Sequence, residues 1–238
     1  MTDIFLSARW ENLIMANYSV DPAVLKPFLP KGVELDFYKN KTYVSLVGFM
    51  FKKTSLFKIP IPLLGTFEEI NLRFYVKRIE GNIIKRGVVF INETVPYTMV
   101  AWLANKLYKE HYIAIPTKNH IINHATNKSI KYDWKINKNW YHLAANIAYE
   151  QEQMLPESIE EFIFEHYYGY TKINSQLSQE YKVNHPKWQV NKVIDYSIHC
   201  DFSSMYGNDF SFLNKQKPDS VIMAVGSPVT VNWKRTQF

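Results

Sequence analysis

Short segments in which apolar and polar residues alternate run along most of this chain, and turn residues separate them. In residues 128–136 the alternating apolar positions are Ile130, Tyr132, Trp134 and Ile136. A period of two is typical of a strand with one buried and one solvated face. Roughly ten such segments and only two or three helical ones predict a mainly β protein, whose antiparallel sheet closes or folds on itself.

Composition supports the same fold class and one domain. Aromatic residues make up 16% of the 238 residues, and aromatic side chains suit half-buried pleated surfaces. No linker, repeat or low-complexity tract divides the chain, so we expect a single domain over residues 1–238.

Three segments carry helix signals. Asp21 is placed to cap a helix of about two turns that begins at Pro22. A second helix is predicted over residues 97–109, where apolar residues recur with helical spacing. Ser158, followed by glutamate three positions later, predicts a third helix, and Gly169 is expected to end it.

Charge and cysteine content exclude several classes of protein. The net charge is +6, but the lysines are scattered and form no basic tract, so nucleic acid is not an expected partner. Cys200 is the single cysteine, which rules out a disulfide framework within the chain and favours a reducing compartment. No secretory signal is recognisable, and the apolar runs are too short to span a bilayer. We therefore expect a cytoplasmic protein with no membrane partner.

The common cofactor and catalytic motifs are missing from the sequence. It contains no P-loop and no GxSxG, GxGxxG or CxxC motif. His120 and His124 have the i, i+4 spacing of some zinc sites, but no glutamate lies nearby. We expect neither a metal nor a cofactor.

One predicted strand, EEINLRFYVKR at residues 68–78, has an unusual polar face. Its apolar row is Ile70, Leu72, Phe74 and Val76, and its polar row is Glu69, Asn71, Arg73 and Tyr75. If the polar row faces the inside of a closed sheet, Glu69 and Arg73 are buried charges that need partners. They lie about 13 Å apart along a strand, so other residues or a ligand would have to supply those partners.

The segment FEEINLRFYV at residues 67–76 resembles the F-x-E-x-N-x-R-x-Y-V signature of the YqjF-like family, domain-of-unknown-function family 2071. Other resembling blocks follow in family order, namely residues 10–49, VPYTMVAW at 95–102, EHYYGYT at 165–171 and VNHPKWQV at 183–190. The likeness covers nearly the whole chain. One departure is Glu165-His166, where the family often carries arginine.

This family looks like a member of the acetoacetate decarboxylase-like superfamily. The resemblance implies an antiparallel β-barrel or cone with peripheral helices. In the decarboxylase a lysine with a second lysine beside it forms a Schiff base, and a glutamate and an arginine lie nearby. Residues 104–107, where that pair would fall, hold only Lys106. A lone lysine on an amphipathic helix is ordinarily solvated and protonated, so we expect no Schiff base at Lys106.

Three interpretations of the polar row remain open. In the first, the barrel cavity binds a small, partly apolar molecule that carries a carboxylate or oxo group, and catalyses no reaction of it. In the second, the protein is an enzyme acting on a small oxo or carboxylic acid, and Arg73 holds the carboxylate while Glu69 moves a proton. In the third, Glu69, Asn71 and Arg73 form a structural network.

The candidate catalytic residues are therefore Glu69 and Arg73. The candidate ligand-binding residues are Asn71, Tyr75, Tyr97, Tyr167, His185 and Trp188. For His185 and Trp188, packing at a strand bend is an equally open interpretation. A small molecule is the expected partner, and a homo-oligomer is compatible with the sequence.

Overall fold

A computed structural model describes residues 4–62 and 64–238. Its strands in chain order are β1 (Ile4–Val20), β2 (Glu34–Leu35), β3 (Thr42–Leu56), β4 (Ile59–Pro60), β5 (Phe67–Glu80), β6 (Ile83–Val95), β7 (Tyr112–Ala114), β8 (Thr117–Asn123), β9 (Asn127–Ile136), β10 (Asn139–Gln153), β11 (Tyr168–Lys172), β12 (Ser178–Asn184), β13 (Gln189–His199) and β14 (Ser220–Gln237). Its helices are α1 (Pro22–Leu25), α2 (Thr98–Tyr108), α3 (Ile159–Phe164) and α4 (Phe202–Tyr206), with 3₁₀ turns at Lys26–Phe28 and Asn208–Lys215.

Seven strands close into a barrel in the order β1, β3, β5, β6, β11, β12 and β14, because β14 pairs with β1. Closure leaves no unpaired edge in the barrel wall. The pairings are antiparallel apart from β6 with β11. Beyond β14 the sheet continues through β13, β10, β9 and β8. The predicted mainly β fold, an antiparallel barrel with a few helices, is confirmed; the expectation of one domain stays a prediction.

Two apolar cores lie on opposite faces of the barrel wall. The apolar row of β5 (Ile70, Leu72 and Phe74) packs in the outer core, with residues of β9, β10, α4 and the second 3₁₀ turn. A Cβ atom at Gly48 would lie 2.6 Å from the ring of Tyr132, so glycine there lets β9 approach the barrel closely. The inner core surrounds the polar row of β5. The apolar row is therefore covered by strands as well as by helices.

The predicted helix starts are found, but one predicted end is wrong. The Asp21 side chain accepts a hydrogen bond from the N–H of Ala23 at 2.8 Å, and the Ser158 hydroxyl accepts one from the N–H of Glu161 at 3.2 Å. The third helix ends at Phe164, and Gly169 lies within β11. A side chain at Gly169 would overlap the ring of Tyr181, so this glycine serves strand packing rather than helix termination.

The described residues contain no helix long and apolar enough to cross a membrane.

Candidate functional site

The barrel encloses a cavity of about 150 Å³ whose wall is mostly apolar. Strand β5 contributes Phe67, Glu69, Asn71 and Arg73, because alternate residues of a strand point to the same face. Aromatic side chains cover much of the remaining wall: Trp10, Phe49, Phe51, Phe90, Phe164 and Trp188. Helix α2 lies over one side of the cavity through Val100 and Leu103.

The end of β3 and the segment between β3 and β5 also border this cavity. Thr54, Leu56 and Ile61 belong to the wall, and the Thr54 N–H donates to the carbonyl of Gly65 at 3.0 Å. Position 63 lies outside the described residues.

Three buried glutamates form the polar part of the wall, and we refer to Glu69, Glu93 and Glu110 as the carboxyl cluster. Their exposed fractions are 2%, 2% and 7%. They come from adjacent strands, since Glu93 on β6 pairs with Asn71 on β5 and with Tyr112 on β7. Glu110 lies two residues before the start of β7. The sheet therefore brings together three carboxyl groups that are distant in sequence.

The three glutamates differ in their hydrogen-bond partners. Glu69 accepts from the Asn71 amide at 2.8 Å and from the Tyr112 hydroxyl at 2.9 Å. Glu110 accepts from the hydroxyls of Tyr181 at 2.7 Å and Thr171 at 2.9 Å. The Oε2 atom of Glu93 is buried and has no partner among the described residues. Tyr112 has a single hydroxyl proton and donates it to Glu69, so it cannot also satisfy Glu93.

Burial controls the ionisation of the carboxyl cluster. It raises the pKa of Glu69 to about 7, although the hydrogen bonds from Asn71 and Tyr112 and the charge of Arg73 oppose the rise. Burial raises the pKa of Glu110 to about 7 against the hydrogen bonds from Tyr181 and Thr171. For Glu93, burial and then the charges of Glu110 and Glu69 raise the pKa well above its usual range, although the nearby Tyr112 hydroxyl opposes the rise. The cluster therefore retains protons near neutral pH.

Arg73 is the arginine of the cavity wall, and it has no carboxylate partner. Among the described residues it forms no ion pair, and its buried Nε has no hydrogen-bond partner. Its Nη2 makes only long contacts of 3.5 Å with the Met15 sulfur and the Ile163 carbonyl. The expectation that Glu69 and Arg73 are too far apart to pair is confirmed.

A second polar group, Asp36, His166 and Arg86, lies where α3 meets the barrel, and we refer to it as the ion-paired cluster. The Asp36 Oδ2 lies 2.6 Å from Arg86 Nε and 3.2 Å from His166 Nε2. Burial by itself would raise the pKa of Asp36, but these two hydrogen bonds lower it to about 2.

His166 also belongs to the cavity wall. Burial lowers its pKa to about 4 although Asp36 opposes the change, so the imidazole is neutral at pH 7 and its Nε2–H donates to Asp36. Its Nδ1 is buried without a partner among the described residues. His166 is not among the site residues predicted from the sequence. The feature that could have identified it is the departure from the family pattern at Glu165-His166.

Of the predicted ligand-binding residues, Asn71, His185 and Trp188 lie on the cavity wall. The rings of His185 and Trp188 stack with centroids 4.1 Å apart. Tyr167 stacks on His185 at 4.6 Å and donates its hydroxyl to Glu165 at 2.7 Å, so it lies behind the wall and not on it.

Tyr75 and Tyr97 also lie off the wall, contrary to expectation. Tyr75 continues the inward row of β5, but the rings of Phe162 and His166 fill the barrel there, at 5.3 and 4.8 Å. Its hydroxyl is 2.6 Å from that of Ser45. Tyr97 packs edge-on against Phe67, at 5.9 Å between centroids, and so lies behind a wall residue.

Lys106 lies outside the cavity. It is exposed on α2, with its amine 4.7 Å from the Trp102 ring centroid, whereas Ala104 of the same helix belongs to the cavity wall. None of the described wall residues is a lysine. The part of the chain that the structure describes holds no group of three or more His, Cys, Asp or Glu arranged for a metal ion, and the absence of a metal or cofactor stays a prediction.

The fold is that of acetoacetate decarboxylase-like proteins. An acetoacetate decarboxylase-like enzyme from Sphingomonas wittichii RW1 superposes with a TM-score of 0.65 at 9% identity, over 100% of this chain and 94% of that chain. The enduracididine biosynthesis enzyme MppR complexed with pyruvate superposes with a TM-score of 0.65 at 11% identity, over 100% and 91%. At such identities the likeness establishes the fold alone.

Residues 7–228 match the family DUF2071, described as an uncharacterized conserved protein, and the chain belongs to this family. The uncharacterized protein YqjF of Bacillus subtilis (strain 168) is 26% identical over 184 residues, which cover 75% of this chain and 72% of YqjF. The family recognised in the sequence is thereby confirmed.

Proposed function

We propose that the barrel cavity binds a small, partly apolar molecule that carries a carboxylate or oxo group. The observation that carries the proposal is Arg73, a guanidinium on the cavity wall without an ion-pair partner among the described residues. Arg73 is half-buried, and a charge held partly out of water is destabilising unless it is paired. A planar guanidinium matches a carboxylate with two parallel hydrogen bonds, so a ligand carboxylate is the natural partner.

The rest of the wall supports the same proposal. Thirteen buried side-chain polar atoms of the described residues have no hydrogen-bond partner, and six of them belong to residues of this wall: Trp10, Thr54, Asn71, Arg73, Glu93 and His166. Buried polar groups are normally satisfied, and a small ligand could satisfy several of these together. The aromatic part of the wall would cover the apolar remainder of the molecule.

An enzyme acting on the same class of molecule is the second candidate function, and Glu69 favours it. A buried carboxyl group whose pKa is about 7 is suited to proton transfer at neutral pH. Arg73 would then orient the substrate carboxylate. The structural-network interpretation accounts for Glu69 and Asn71, which are hydrogen-bonded to each other, but not for Arg73, which lies outside that network.

The proposal is tested by calorimetric titration with straight-chain carboxylic acids and 2-oxo acids of three to eight carbons. Affinity should rise with chain length until the cavity is filled, by about 0.8 kcal/mol for each buried methylene. Arg73→Gln should weaken binding at least tenfold, because a charge-assisted hydrogen bond contributes about 1.5–3 kcal/mol. Lys106→Gln removes the same charge outside the cavity and should bind as the wild type does. Unchanged affinity in Arg73→Gln would show that the proposal is wrong.

A further inference from the structure

Glu93 differs from the other two members of the carboxyl cluster in having no partner. Glu69 and Glu110 each accept two hydrogen bonds. The Oε2 atom of Glu93 accepts none from the described residues, although the side chain is 2% exposed and belongs to the cavity wall. Glu93 is therefore a buried acidic residue of the cavity wall whose Oε2 atom has no hydrogen-bond partner among the described residues.

The surroundings of Glu93 decide which form of its carboxyl group is present. An ionised Glu93 would be a buried anion next to two other carboxyl groups, and the single proton of the nearby Tyr112 hydroxyl is donated to Glu69. The neutral acid avoids that electrostatic penalty, and it carries an O–H group. A buried O–H group needs an acceptor, and no described residue accepts a hydrogen bond from Glu93 Oε2.

The strand register places Glu93 within reach of a ligand held by Arg73. Glu93 pairs with Asn71, which is two residues from Arg73 on β5, about 7 Å along the strand. The two side chains extend from neighbouring strands toward the same small cavity. A molecule of a few carbons could bridge them if it carries a carboxylate and, close by, an uncharged acceptor oxygen.

We infer that Glu93 is a specificity-determining residue that donates a hydrogen bond from its neutral carboxyl group to a keto oxygen of the ligand whose carboxylate Arg73 holds. The inference rests on the proposed function and deepens it, since it selects oxo acids over simple carboxylic acids. It also assigns Glu93 a role distinct from that of Glu69, whose two oxygens already accept hydrogen bonds. No covalent step is involved.

The test compares three ligands that differ at one carbon, 2-oxobutyrate, butyrate and 2-aminobutyrate, together with their six-carbon counterparts. The wild type should bind each oxo acid about tenfold more tightly than the simple acid, as expected for one hydrogen bond of about 1.4 kcal/mol. Glu93→Gln should keep this preference, because the amide N–H is also a donor. Glu93→Met has a similar size and no donor, so its affinities for the two acids should become equal.

Three outcomes would overturn the inference. Equal wild-type affinity for the oxo and simple acids, with both weakened by Arg73→Gln, would remove the role of Glu93 and leave the proposed function standing. Tightest binding of the amino acid, lost in Glu93→Gln, would show that Glu93 is an anion that pairs with a ligand ammonium group. No binding of any of the six acids would overturn the inference and the proposed function together.

An infrared measurement tests the same hydrogen bond without relying on differences in affinity. In infrared difference spectra, Glu69 and Glu110, whose pKa is about 7, also contribute C=O stretches of protonated carboxylic acids, so the component that Glu93→Gln lacks relative to the wild type identifies the band of Glu93. Addition of 2-oxobutyrate should shift this band, and addition of butyrate should not. A band that is unaffected by 2-oxobutyrate when calorimetry shows binding would contradict the inference.

Discussion

The acids of the carboxyl cluster and of the ion-paired cluster are all nearly inaccessible to solvent, yet their pKa values shift in opposite directions. Glu69 and Glu93 are 2% exposed and Asp36 is 5% exposed. Burial raises the pKa of the two glutamates. Burial acts in the same direction on Asp36, but the hydrogen bonds from His166 and Arg86 outweigh it and lower the pKa of the aspartate to about 2.

The comparison shows that a directly paired cation with an N–H donor outweighs the effect of burial on the pKa of an acid, whereas hydrogen bonds from neutral groups do not. Asp36 has a cation and an N–H donor on one oxygen, so the charged form is stabilised and contributes to folding. Glu93 has neither for its Oε2, so it holds a proton that an unfolded chain would release at neutral pH. Burying such a group lowers stability, which is typical of residues kept for function.

The largest expected effect is on the pH dependence of the free energy of unfolding in Glu93→Gln. In the unfolded chain Glu93 ionises above its ordinary pKa of 4.5, whereas the folded protein keeps the proton. The wild type therefore loses stability as pH rises above 4.5, by about 1.4 kcal/mol per pH unit for this one group. Glutamine has no proton to lose, so the variant should gain stability relative to the wild type as pH rises from 5 to 7.

Urea denaturation at several pH values measures this difference. Glu150→Gln, which removes an exposed carboxyl group, is the matched control and should give a profile parallel to that of the wild type. A profile for Glu93→Gln that is also parallel would show that Glu93 is ionised in the folded protein, and the contrast between the two clusters would disappear.

A smaller effect, about 2 kcal/mol of destabilisation at pH 7, is expected from Asp36→Ala. The substitution leaves the His166 N–H buried without a partner and removes the carboxylate beside Arg86. Breaking a fully buried ion pair costs about 3–5 kcal/mol, and the smaller figure reflects the partial exposure of Arg86. Denaturation by urea measures the loss. Asp209→Ala at an exposed site should change stability by less than about 0.5 kcal/mol, and an equally small change in Asp36→Ala would contradict the pairing.

His166 should lower the free energy of unfolding at acidic pH. Its ordinary pKa of 6.5 is lowered to about 4 in the folded protein by burial, so below pH 6.5 the unfolded chain binds a proton that the folded protein does not. Stability due to this residue therefore falls as pH drops from 6.5 toward 4, by about 1 kcal/mol between pH 6.5 and 5.5. His166→Gln should lack this loss relative to the wild type.

Nitrogen-15 NMR gives an independent measure of the same residue. The His166 ring should stay neutral, with its proton on Nε2, from pH 8 down to pH 5. Titration of His166 near pH 6.5 would show that the imidazole is solvated and not held in the barrel.

The smallest effect is expected at Lys106, which belongs to neither cluster. Lys106→Ala removes an exposed side chain and should change stability by less than about 0.5 kcal/mol. Borohydride reduction in the presence of acetoacetate should give no covalent adduct in the intact mass of the wild type. An adduct that maps to Lys106 and disappears in Lys106→Ala would show that the expectation is wrong.

Local patterns were sufficient to predict the barrel wall. Successive side chains of a strand point to opposite faces, so direction depends only on whether the position is odd or even. Alternation in residues 68–78 therefore separates an outer apolar row from an inner polar row. The outer row contains Ile70 and Leu72, and the inner row contains Glu69, Asn71 and Arg73. The family signature lies in the same residues, so the fold class and the family could both be recognised from the sequence.

The same parity rule fails for Glu93 because of a bulge in β6. Leu72 pairs with Asn92 and Arg73 pairs with Phe90, so the strand carries one extra residue between them. The bulge changes the parity of β6, and Phe90 and Glu93 both belong to the cavity wall although they are three residues apart. Alternation counted along β6 alone therefore does not select Glu93.

Tertiary structure decided which polar residues meet and which of them are charged. His166 reaches the cavity because α3 packs into the barrel, and the same helix fills the space beside Tyr75 and keeps that tyrosine off the wall. The protonation of Glu93 depends on strands β5, β6 and β7 lying side by side. The sequence determines residue types and local periodicity, whereas burial, neighbouring charge and hydrogen-bond partners arise only when the sheet closes, because they depend on residues far apart in the chain.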